Sequence, residues 1–106
     1  MLDPNLTIEE RITELIQDEV DQADRRPASA MANLEAFCLA LVEPFSTTVN
    51  FSGGVTQRCW TVTRPNGDYR VVYMPLAGYF ALCVESEIGP LDIGVHGPAF
   101  GCFCSV

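Results

Sequence analysis

RCWTVTRPNGDYRVVYM, residues 58–74, reads as two β-rich runs around a turn, and its register decides which side chains the sheet covers. A two-residue Asn66-Gly67 turn would set Pro65 where a strand needs an N–H donor, which Pro lacks. A three-residue loop, with Pro65 in the first corner of a type I turn and Gly67 left-handed in the bulge, suits both residues. That register pairs Val62 with Arg70, Trp60 with Val72 and Arg58 with Met74. It gathers Trp60, Val62, Val72 and Met74 on a core face and leaves Cys59, Thr61, Thr63, Tyr69, Val71 and Tyr73 on the other. A slip of one residue would send every partner to the opposite face.

Working outward, strands are expected over 47–51, 55–64, 69–74, 79–85 and 91–95, with a sixth candidate over 100–106. Gly53-Gly54, Leu76-Ala77-Gly78 and Gly89-Pro90 punctuate them, and links this short favour an antiparallel meander. Phe80, Leu82 and Val84, then Leu91, Ile93 and Val95, alternate with smaller or polar residues, so the large side chains can all point one way. The opposite face then collects Thr61, Thr63, Tyr69, Tyr73, Tyr79, Glu85, Asp92 and His96.

Upstream the period changes to that of a helix. Ile8, Ile12, Leu15, Ile16, Val20 and Ala23 make one buried stripe of a helix running from about Thr7 to Ala23. Thr7 and Glu10 fit a capping box, while Asp3-Pro4 offers an earlier start. Arg25-Arg26-Pro27 breaks this helix. A second covers about Ala28 to Val42, with Met31, Leu34, Phe37, Cys38 and Leu41 as its stripe and Pro44 as its stop. The short link makes the two an antiparallel hairpin. The expected fold is α+β: a helical layer over 1–43 on one face of a five- or six-stranded antiparallel sheet over 44–106, all in one domain.

Charge divides along the same line. Ten of the fourteen carboxylates fall in residues 1–43, leaving Asp68, Glu85, Glu87 and Asp92 against Arg58, Arg64 and Arg70 in the sheet. The chain has no lysine; all six cations are Arg. Net charge −8 with no basic patch repels a phosphate backbone, which argues against nucleic acid and for a basic or polar protein partner. No apolar run approaches the ~20 residues that cross a bilayer, so no membrane partner is expected. Met1 to Asn5 lacks the basic and apolar regions of a secretory signal. A cytoplasmic protein with reduced, structural thiols at Cys38, Cys59, Cys83, Cys102 and Cys104 is the expectation.

Chemistry-bearing patterns are sparse. His96 is the only histidine, and Asp92 precedes it by four residues; on a regular strand these stand roughly 13 Å apart and meet only if the strand bends. Cys102 and Cys104 with His96 offer three ligands where structural zinc takes four. No dinucleotide, P-loop or calcium-loop pattern occurs, so no cofactor or metal is expected. The absence of a catalytic signature leans away from an enzyme.

Two surfaces remain for work. One is the sheet face bearing Tyr69, Tyr73, Tyr79, Asp92 and His96; the other is the acidic helix face bearing Glu14 and Asp18. The leading expectation is a small acidic interaction module of the inhibitor, immunity or accessory type that binds a protein. The alternative is a small-molecule-binding module or minor enzyme near Tyr69, Tyr73 and His96, with Arg58 or Arg70 meeting an anion. Self-association into a homo-oligomer is a third arrangement.

Overall fold

The computed structural model describes residues 5–106, so the alternative helix start at Asp3-Pro4 lies outside the described residues. Two helices precede a five-stranded meander, the α+β order expected from the sequence. Helix α1 spans Ile8–Gln22. Its capping box forms: the Thr7 amide donates to Glu10 Oε1 at 3.0 Å and the Glu10 amide donates to Thr7 Oγ1 at 3.1 Å. Helix α2 spans Ala28–Ala40 behind Pro27.

The chain leaves α2 four residues before Pro44. Strand β1 is already under way at Leu41 and runs to Asn50, with Pro44 inside it. Leu41 pairs with Thr63 and Phe45 with Thr61, so residues 42–44 bulge opposite Val62. A proline without an N–H is tolerated where the ladder lapses. Strands β2 (Thr56–Thr63), β3 (Tyr69–Met74), β4 (Tyr79–Ser86) and β5 (Gly89–Gly97) follow. The sheet does not stay open: β1 meets β5 in parallel at Asn50 and Leu91, closing a barrel.

The hairpin register is one residue away from the expected one. Asn66 and Tyr69 exchange both backbone hydrogen bonds, at 2.7 and 3.1 Å, around a two-residue Gly67-Asp68 turn. Gly67 has φ +63° and Asp68 does not, the combination of a type II′ turn. Pro65 escapes the ladder because the end of β2 swings away: the Arg64 amide donates to the Ala40 carbonyl at 2.8 Å. The Thr63 hydroxyl stands in for a backbone acceptor and takes the Val71 amide at 3.0 Å. Beyond this bulge Trp60 pairs with Tyr73 and Thr61 with Val72.

That shift redistributes the core. Tyr73 joins Val62, Val71, Phe80 and Leu82 on the outer face, beneath Ile12, Ile16, Leu34 and Phe37 of the helices. Val72 and Met74 turn instead into the barrel, with Val49, Cys59, Ala81 and Cys83. The barrel interior takes smaller side chains, as a tightly closed sheet requires. The face expected to be uncovered and tyrosine-rich is therefore the inside of the barrel, and Tyr73 is not on it.

The last segment is a helix rather than a sixth strand. Helix α3 spans Ala99–Phe103. Glu19 of α1 supplies its cap from a distance in sequence, accepting from the Ala99 amide at 3.0 Å and the Phe100 amide at 2.9 Å. A carboxylate on the free amides of a helix start is favourable, but the partner is some eighty residues away and no local pattern announces it. Phe37 of α2 then packs between Phe100 and Phe103, with ring centroids 5.3 and 5.4 Å apart.

Candidate functional site

Helix α1 presents its carboxylates beside a groove. Ile12 and Ile16 face inward, and the α2–β1 connection runs back past them, so a hollow of about 290 Å³ opens between Ile12, Ile16 and Val20 on one side and Leu41, Val42 and Pro44 on the other. A second hollow of about 560 Å³ continues it toward the start of α1. Thr13, Gln17, Glu43 and Pro44 line both, and Glu9, Glu10 and Glu14 complete the rim of the second. No arginine lines either hollow among the described residues. An apolar floor with a carboxylate rim can hold a segment that carries cations on one side and apolar side chains on the other.

Glu14 belongs to this groove and Asp18 does not. Asp18 lines a separate hollow of about 380 Å³ on the other flank of α1, with Leu15, Gln22, Tyr79 and Gly97. Neighbours on the helix thus serve different depressions.

The three tyrosines are dispersed. Tyr73 is fully buried against Phe80, with ring centroids 5.1 Å apart, and its hydroxyl has no hydrogen-bond partner among the described residues. Tyr69 is half-buried beside the hairpin turn and packs at the margin of the helix-covered core. Only Tyr79 is open, at 41%. It stacks on His96 with centroids 5.5 Å apart and planes 26° apart.

Asp92 and His96 do meet. Leu82 pairs with Val95 but the next residue, Cys83, pairs with Asp92, so β5 carries a bulge at Ile93-Gly94. Gly94 takes φ +82°, which a side chain would resist. The bend that a regular strand lacks brings Asp92 Oδ1 to 2.9 Å from His96 Nε2. An isolated Gly within a strand pattern is the sequence signal for such a bulge. Asp92 is largely shielded and His96 about one-third exposed, so the carboxylate orients an accessible imidazole.

Nearby groups limit what the pair can do. The Cys83 thiol is pushed up to about 12 by burial first and by Asp92 second, and Cys59 up to about 11 for the same reasons. Thiols held protonated in this way are poor nucleophiles. Arg70 is ion-paired to Glu85 and also donates to the Thr61 hydroxyl at 3.2 Å, which in turn meets Thr47 at 2.6 Å. Of the two cations expected to meet an anionic ligand, Arg70 is thereby engaged within the structure, while Arg58 is exposed. Cys102 is buried beside the Val95 carbonyl and Cys104 is exposed; their thiols do not converge with His96, and no three potential metal ligands gather among the described residues. Cys38 is exposed, not the buried thiol its place in an apolar run suggested.

Sequence reasoning missed Glu43, Ile12 and Ile16 as parts of one groove. Glu43-Pro44 sits where the helical pattern ends, but only the early exit from α2 lays it against α1. No helix among the described residues is long and apolar enough to cross a membrane. Comparison with known proteins found no matching family model, curated protein or solved structure.

Proposed function

We propose that this chain is a small acidic interaction module that binds a protein partner by seating a basic, partly apolar segment in the groove between α1 and β1. The observation that carries the reading is the pairing of a partly exposed apolar floor (Val20, Leu41, Val42) with a rim of Glu9, Glu14 and Glu43, with no arginine among the lining residues. An inhibitor, immunity or accessory role in the cytoplasm fits such a module. Attraction from the rim should act mostly on the rate of encounter, and desolvation of the floor on residence time. The test is fluorescence anisotropy with a labelled Arg- and Leu-rich amphipathic peptide and its Glu-for-Arg counterpart. Binding of the basic peptide alone, weakened about tenfold by Glu14→Gln with Glu43→Gln and weakened by salt, is the expected result. Equal binding of both peptides, or indifference to the double neutralisation, would refute it.

The Asp92–His96–Tyr79 cluster favours a second reading, a small-molecule-binding module or minor enzyme. Its support is the bulge that orients the imidazole next to the hollow lined by Tyr79, Gly97 and Asp18. A fragment screen by NMR that leaves the His96 and Tyr79 signals unmoved would dismiss it.

A further inference from the structure

We propose that α2 is the interface for a second copy of this chain. Glu35 is its one charged residue among thirteen, and apolar or small side chains surround the whole helix. Leu34, Phe37 and Ala40 face the core. Ala28, Ala32, Glu35 and Leu39 then form an outward stripe at helical spacing, flanked by Met31 and Cys38. Leu39 is 76% exposed and Met31 38%. Beside the stripe lies a hollow of about 430 Å³ floored by Val20, Leu34 and Cys38, with Arg25 and Glu35 among its walls.

The charges say which partner fits. Most of the helical layer is acidic, and a copy of net charge −8 is repelled by it. The α2 patch carries one cation and one anion, and a two-fold axis makes each side supply what the other needs: Arg25 to the mate's Glu35, and Glu35 to the mate's Arg25. A uniformly basic partner would leave Arg25 opposed, and a uniformly acidic one would leave Glu35 opposed. Arg25 is already held in place, donating from Nη2 to the Val20 carbonyl at 2.6 Å and from Nη1 to the Ala23 carbonyl at 3.3 Å, with guanidinium donors left over. The small Ala28 and Ala32 allow two helices to approach closely, so Leu39 of each copy can pack over the first turns of the other.

Sedimentation velocity over a concentration series under reducing conditions tests this. The expected result is a reversible dimer that Leu39→Asp weakens by about tenfold or more. Glu35→Arg should weaken it as well, and Arg25→Glu added to Glu35→Arg should restore it. Each altered side chain is exposed, and a circular dichroism melt of each variant verifies that the monomer is folded. A wild-type chain that stays monomeric, a dimer indifferent to Leu39→Asp, or a double reversal without recovery would each overturn the proposal. Leu39 lies outside the acidic groove, so Leu39→Asp should leave basic-peptide binding intact; the two readings can therefore fail separately.

Discussion

Replacing Tyr73 separates a surface role from a core role. The ring is fully buried and lies 5.1 Å from Phe80, centroid to centroid, so Tyr73→Ala removes a packed aromatic and should cost about 3–5 kcal/mol. Tyr73→Phe is the sharper experiment. The hydroxyl is buried with no hydrogen-bond partner among the described residues, and a polar group in that state costs about 1–3 kcal/mol. Deleting it leaves a gap the size of one oxygen, which offsets part of the gain. Net stabilisation of about 1 kcal/mol is expected, raising Tm by about 4–8 °C in a domain of this size. Urea melts with a shared slope, together with a thermal scan, measure both variants. Destabilisation by Tyr73→Phe would mean that the hydroxyl has a partner. A mild effect of Tyr73→Ala would mean that the side chain stands on the surface, and the hairpin register would then be wrong.

Glu19→Ala should lower stability by about 1–3 kcal/mol, since it strips two charge-assisted hydrogen bonds from the start of α3; an unchanged urea midpoint would show that the cap contributes nothing. Cys38 and Cys104 are exposed whereas Cys59, Cys83 and Cys102 are buried, so a thiol reagent at pH 8 should titrate two thiols quickly in the native state and five after unfolding. Those three buried thiols have pKa values pushed up to about 11, 12 and 11. They stay protonated in the folded chain where the unfolded chain already ionises, so stability should be intact below about pH 8.5 and fall from there to about pH 12. A flat alkaline stability profile after Cys38→Ser and Cys104→Ser would contradict this.

The sequence by itself determined what depends on neighbours a few residues apart. The Thr7–Glu10 cap, the core stripe of α1, the extent of β3, the left-handed Gly67 and the α+β order were all legible, because helix periodicity, strand alternation and turn chemistry act locally. The acidity of the helical layer was legible for the same reason. Tertiary structure decided the rest. Pro65 favours a longer loop only where its strand stays in the ladder, but Arg64 has a better acceptor in Ala40, on another element. That one contact moved the register by a residue and carried Tyr73 from an imagined open face into the core. Closure of β1 on β5 turned the remaining face inward, and the bulge at Gly94 joined Asp92 to His96 across what a straight strand would keep apart. The groove beside α1 exists because α2 ends at Ala40, before its own breaker, once Leu41 can pair with Thr63. Each is a competition between a local preference and a partner distant in sequence, and packing of the whole chain settles it.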